Sequence, residues 1–365
     1  MSRIVLIDTK IDASLLRCSS FAAYDVTGSP SQPSGGLSHG TACALVLDHC
    51  TEDYSLISVE AFSDSTAGQK PRGSIEALRG ALQLCLDLQP DIVSLSAGST
   101  TLSDSSLIAG LCREICRKSV FVAALDNLRY VTVPASYPFV FGVQSDRAGL
   151  LTPGQLAYRP GDLFGAELYA NCAFDFLTRY GCTPSNSLAV PVAAASINQL
   201  LNAGAAPEHL FSALPVYDID AMREVASFPQ GPAGNPPVVL LEGGAVRLCQ
   251  GLMDALQREY DIEAAGVSPH DIPEDIRIRH VKQSGSLLDA VHFVRQHYKA
   301  DIILVAAEAE AAATQLEPDV QISLHASSAE LQYDNCRCAV PIGRLAGELC
   351  HILSCDEPVT ERRSI

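Results

Sequence analysis

The sequence predicts an α/β protein in two parts: a parallel sheet flanked by helices, then a smaller C-terminal α/β domain of Rossmann-like pattern. Three observations carry this expectation. The chain opens on a short unbroken apolar run, residues 4 to 8 (IVLID), of the kind that forms a strand buried on both faces of a parallel sheet. A stretch rich in proline and glycine, residues 203 to 237, interrupts the pattern. After it, apolar strand runs and helical periods alternate afresh.

Length and composition set the bounds. The 365 residues are 47% hydrophobic and 18% charged, which describes a folded chain with a large core and room for two domains. A formal net charge of −17 makes the electrostatic term repulsive toward nucleic acid and anionic membranes, so neither is an expected partner. No apolar run reaches the roughly 18 residues that a membrane helix needs, and no charged-then-apolar leader precedes the first strand. Thirteen cysteines, without disulfide-framework spacing, fit a reducing compartment. A cytoplasmic protein is expected.

Taken in order, the first strand ends in Asp8, at the sheet edge where functional groups of open α/β folds gather. Residues 19 to 36, rich in Ser, Pro and Gly, read as a surface loop. They deliver the chain to Ser38-His39-Gly40-Thr41-Ala42, a histidine at the start of a small-residue helix. Gly40 removes a side chain where another backbone must pass closely. Histidine exchanges a proton near neutral pH, and an aspartate behind it would hold the tautomer that leaves one ring nitrogen free to accept. Residues 122 to 127 (VAALDN) form an apolar strand that delivers Asn127 to its end. Residues 183 to 201 (TPSNSLAVPVAAASINQLL) place Ser187 in a polar turn opening a helix whose alanines let it sink into the domain. An oxygen nucleophile there lies among outward-pointing N–H groups at the positive end of the helix dipole.

These motifs, VLIDT at 5 to 9, SHGTACA at 38 to 44, VAALDN at 122 to 127 and SNSLAVP at 185 to 191, resemble the subtilisin family of serine proteases. Three further stretches lie between them in the matching order: DIVSLSAGS (91 to 99), VPASYPFVFGV (133 to 143) and YRPGDLF (158 to 164). The resemblance covers about residues 4 to 202. It implies a subtilisin-like domain over residues 1 to 205, with Ser187 as nucleophile, His39 as base, Asp8 as its orienter, and the Asn127 side chain and Ser187 N–H as oxyanion donors. The segment Ser96, Ala97, Gly98 would pair with a peptide substrate as an added strand, and residues 68 to 73 would form the opposite wall. The implied activity is an endopeptidase acting on a peptide or protein, specialised for processing or precursor-peptide maturation.

The sequence departs from the family at Lys10, at Ser185-Asn186 in place of Gly-Thr, and at Asp126 in place of a glycine. Asp126 either favours a basic residue before the cut or turns away from it. The family's propeptide and N-terminal extension do not precede the strand at residue 4, which fits a chain that folds unaided in the cytosol. No loop of calcium-binding design is present, and neither metal nor cofactor is expected. An inactive or partner-activated peptide-binding module on the same fold is the alternative. It has less to recommend it, because all three triad positions and Asn127 are retained.

Beyond the linker of residues 206 to 237, the domain of residues 238 to 355 shows strands at 238 to 242, near 276 to 281, at 302 to 307 and at 320 to 324. Helices are expected at about 245 to 260, 286 to 299 and 341 to 354, and residues 356 to 365 form a polar tail. Gly243-Gly244 could face a phosphate, but neither a dinucleotide fingerprint nor a P-loop lysine accompanies them. Docking a substrate peptide, a partner enzyme or a second copy of the chain is the role expected of this domain.

Overall fold

The computed structural model describes residues 1–28, 37–63, 73–159, 166–217, 233–243, 246–270, 275–308, 316–325, 327–334 and 336–353. The chain divides into two units, the first chiefly Met1–Ser99 with Ser106–Pro229, the second Thr100–Ser105 with Gln230–Arg363. Each is described by itself.

The first unit is built on eight strands: β1 (Ser2–Asp8), β2 (Ser20–Asp25), β3 (Tyr54–Glu60), β4 (Ile92–Leu95), β5 (Val120–Ala124), β6 (Phe141–Ser145), β7 (Leu156–Tyr158) and β8 (Ala166–Ala170). Their order across the sheet is β2-β3-β1-β4-β5-β6-β8-β7, and every pairing is parallel except β7 with β8. The opening apolar run is thus the inner strand expected of it. Ile4 and Leu6 join the core on one face, while Val5 and Ile7, on the other, are equally buried. Helices α1 (His39–Cys50), α2 (Ile75–Leu88), α3 (Asp104–Cys116), α4 (Asp175–Thr178) and α5 (Asn186–Asn202) follow the strands in the chain. The alanines of α5 lie in the same core as Ile4 and Leu6, against Val46 and Leu47 of α1.

The surface loop expected over residues 19 to 36 is corrected in part. Residues 20 to 25 form edge strand β2, paired in parallel with β3 from Ser20↔Ser55 to Asp25↔Glu60. Five of its six residues are exposed, all but Phe21, so an edge strand of this kind carries no alternating apolar signature. Residues 29 to 36 lie outside the described residues. The connecting stretch is also more structured than its composition suggests. Residues 207 to 213 form a 3₁₀ helix, and Tyr158 N–H donates to the Pro215 carbonyl and Tyr217 N–H to the Tyr158 carbonyl, each at 2.8 Å. Tyr217 stacks on Tyr169 at 4.1 Å and donates its hydroxyl to Asp146 at 2.7 Å.

The second unit carries β9 (Val238–Glu242), β10 (Ala264–Ser268), β11 (Ile278–His280), β12 (Ile302–Ala307), β13 (Val320–Leu324), β14 (Ser328–Tyr333) and β15 (Cys336–Pro341), in sheet order β11-β10-β12-β9-β13-β14-β15. Helices α6 (Val246–Tyr260), α7 (Leu287–His297) and α8 (Leu345–Ile352) match the three helical periods read from the sequence. Five strands are parallel; β14 and β15 extend the sheet antiparallel, so it is mixed rather than purely parallel. The sequence reading passes over β10, β14 and β15. Gly243 takes φ +80° at the end of β9, a turn conformation natural to glycine, and Gly244 lies outside the described residues.

Candidate active site

Asp8 ends β1 and is 3% exposed. His39 is the first residue of α1, a helix capped by Ser38, whose Oγ accepts from Thr41 N–H. The two elements can meet only because residue 40 is glycine: a Cβ there would lie 2.1 Å from the Thr9 carbonyl oxygen. At that junction Gly40 N–H donates to Thr9 Oγ1 at 2.9 Å. The helix start therefore rests on the residue after Asp8, and the imidazole faces the carboxylate. His39 Nδ1 is 2.8 Å and 3.0 Å from the two Asp8 oxygens, and Nε2 is 3.0 Å from Ser187 Oγ. Three residues far apart in sequence form one hydrogen-bonded chain.

Ser187 stands in the first turn of α5, where backbone N–H groups have no intrahelical acceptor. The proline four residues on explains a second feature. Pro191 has no N–H, so the Ser187 carbonyl loses its helical donor. The thiol of Cys43 on α1 takes that place, 3.7 Å from the Ser187 oxygen. Burial holds this thiol above its ordinary range, so near neutral pH it is a proton donor. For His39, burial works against the charged ring, but the adjacent Asp8 carboxylate and its hydrogen bonds win and raise the pKa well above the ordinary value. Asp8 supplies the deciding charge, because the neutral Cys43 thiol has none to offer. Asp8, His39 and Cys43 bring a carboxylate oxygen, an imidazole nitrogen and a sulfur within 4.8 Å of one another; these are the described residues that could hold a metal ion.

Asn127 follows β5 and is half-buried. Its Oδ1 accepts from Asn186 N–H at 3.1 Å and from Arg147 Nη2 at 3.0 Å. With Oδ1 held by two donors, the amide is oriented and Nδ2 remains as its donor. Arg147, on the turn after β6, has no signature that a sequence reading detects.

The departures from the family pattern have specific places. Lys10 is exposed, and what meets α1 is its backbone carbonyl, which accepts from Ser38 Oγ at 2.6 Å. Asn186 is 3% exposed and clamps three elements: Oδ1 accepts from Ser145 N–H of β6 at 2.9 Å, and Nδ2 donates to the Leu125 and Asp126 carbonyls at 3.0 and 3.2 Å. Asp126 turns its Oδ2 onto Leu128 N–H at 2.7 Å, closing its own turn. Ser185 caps α5 and lies 2.9 Å, Oγ to Oγ, from Ser187.

Ser96 is buried beyond β4, with Ala97 and Gly98 half-buried after it. A Cβ on Gly98 would lie 2.6 Å from Thr132 Cγ2 and 2.8 Å from the Val133 oxygen. Glycine is required there by the crossing of Val133, to which Ser99 pairs through two backbone hydrogen bonds of 2.8 and 2.9 Å. Residues 68 to 72, expected as the opposite wall, and residues 160 to 164 lie outside the described residues.

No family model matches the sequence, and no curated protein matches it. Solved structures do. The chain is similar to the prenylagaramide maturation protease PagA at 16% identity and a TM-score of 0.36, over 56% of this chain and 78% of that one. It is similar to the nisin leader peptidase NisP of Lactococcus lactis at 15% identity and a TM-score of 0.40, over 57% and 80%. A lanthipeptide protease aligns at 14% identity and a TM-score of 0.40, over 58% and 78%. No helix among the described residues is long and apolar enough to cross a membrane.

Proposed function

We propose that the chain is a subtilisin-like serine endopeptidase of the cytoplasm that processes a precursor peptide. The observation that carries the reading is the hydrogen-bonded chain from Asp8 through His39 to Ser187, at 2.8 and 3.0 Å. In this mechanism Ser187 Oγ forms a bond to the scissile carbonyl carbon while its proton passes to His39 Nε2. Asp8 holds Nδ1–H and stabilises the imidazolium. The carbonyl oxygen, now carrying the negative charge, is received by the first-turn N–H of Ser187 and by Asn127 Nδ2. One donor of that kind contributes roughly 3 to 4 kcal/mol to the transition state. The tetrahedral species collapses, His39 gives its proton to the leaving amine, and water then releases the acyl group by the same route in reverse. The twelve described cysteines are all free thiols, which supports a reducing compartment. The second unit is assigned a docking role, toward the substrate peptide, a partner enzyme or another copy.

Labelling with a fluorophosphonate probe, read by intact mass, tests this reading. Ser187 Oγ should bond to phosphorus with loss of fluoride, giving one adduct that disappears in Ser187→Ala and His39→Ala. A folded wild-type protein that takes no adduct would remove the enzyme reading.

A further inference from the structure

The residue two positions before the nucleophile contributes a second hydroxyl to the site. Ser185 has φ −151° and ψ 165°, an extended backbone open to any residue, so the site does not require glycine there. Its Oγ stands 2.9 Å from Ser187 Oγ, and also accepts, at 3.4 Å, from Leu188 N–H.

The proton positions follow from the partners. A carboxylate only accepts, so in the neutral form in which His39 acts as a base its one proton lies on Nδ1 toward Asp8, and Nε2 accepts. Ser187 must then donate its one hydrogen to Nε2. Toward Ser185 it can only accept, so the Ser185 hydroxyl is the donor of that pair. The result is a directed sequence of hydrogen bonds: Leu188 N–H to Ser185, Ser185 to Ser187, Ser187 to His39.

Building on the proposed peptidase mechanism, we infer that Ser185 is a catalytic residue whose hydroxyl donates to the nucleophile oxygen and stabilises the negative charge it carries during bond making and bond breaking. On attack, the Ser187 proton moves to His39 Nε2, one electron pair of Oγ forms the bond to carbon, and another accepts from Ser185. On release of the acyl group the bond from carbon to Oγ breaks, the pair returns to Oγ, and His39 returns its proton there. The Ser185 hydrogen bond is strongest whenever Oγ is most negative, and the donor needs no reorganisation to meet it.

A purely structural role as helix cap is separable from this one. Glycine is an acceptable cap that costs little stability, whereas it has no hydroxyl to donate; threonine keeps both. The experiment compares fluorophosphonate labelling rates across pH, with thermal midpoints, for the full chain and for Ser185→Gly and Ser185→Thr. Ser185→Gly should label about tenfold more slowly at its high-pH plateau, the loss of one hydrogen bond to a charged oxygen, with its midpoint close to wild type. Ser185→Thr should stay within about threefold of wild type. Equal plateaus for wild type and Ser185→Gly would overturn the inference and leave the peptidase reading standing. A wild type without adduct would overturn both.

Discussion

At the scale of single residues, the proposed role of His39 as base predicts the pH behaviour. A general base acts in its neutral form, and Asp8 raises the folded pKa of this histidine well above 6.5. Labelling of Ser187 should therefore rise with pH through that raised value, giving an alkaline limb. Asp8→Asn removes the charge and leaves burial, which favours the neutral ring; the limb should move to lower pH while the plateau falls about 10³- to 10⁴-fold. The linkage has a definite sign. The imidazolium–carboxylate pair adds stability that is fully present below the unfolded pKa of about 6.5 and is lost as pH rises through the folded value. Thermal midpoints across that window should fall in wild type and stay flatter in Asp8→Asn. A labelling limb at the ordinary histidine pKa in both proteins would contradict this account.

At the scale of elements, α5 is held to the sheet by its first residue. Asn186 joins the start of the helix to the ends of β5 and β6, where apolar packing gives way to polar backbone. Asn186→Ala would leave the Ser145 N–H and the Leu125 carbonyl without this partner inside the protein. The expected cost is about 2 to 3 kcal/mol in denaturant unfolding, with slower labelling because Asn127 and Ser187 are fixed through the same junction. An unchanged unfolding midpoint would show that this junction relaxes freely. Elements with an apolar signature were legible in advance: β1, β5, β9, β12 and the helices α5, α6 and α7. Strand β2 was not, because Phe21 alone of its six residues packs against the core and the other five are exposed.

At the scale of the whole molecule, the net charge of −17 acts on whatever approaches. A cationic peptide should be drawn in at low ionic strength, and salt should screen that attraction. Measured as kcat/KM, cleavage of a peptide of net positive charge should fall several-fold between about 20 and 500 mM salt, while a neutral analogue of the same scissile sequence changes little. Equal salt responses would mean that local contacts, not the molecular field, govern encounter.

Sequence alone determined the α/β class and the composition break before the second unit. It also marked Asp8, His39, Asn127 and Ser187, because each sits where a strand ends or a helix begins and carries a short motif around it. It did not reveal that Asn186, Arg147 and Ser185 belong with them. Arg147 reaches Asn127 across 20 residues, and Asn186 reaches Ser145, Asn127 and Leu125 across 41, 59 and 61. Periodicity reports which face of one element is buried, whereas these contacts arise only when β5 lies beside β6 and α5 starts at their common edge. Even Ser185, two residues from Ser187, was decided by tertiary structure: the direction of its hydrogen bond is fixed by a histidine and an aspartate brought from the other end of the domain.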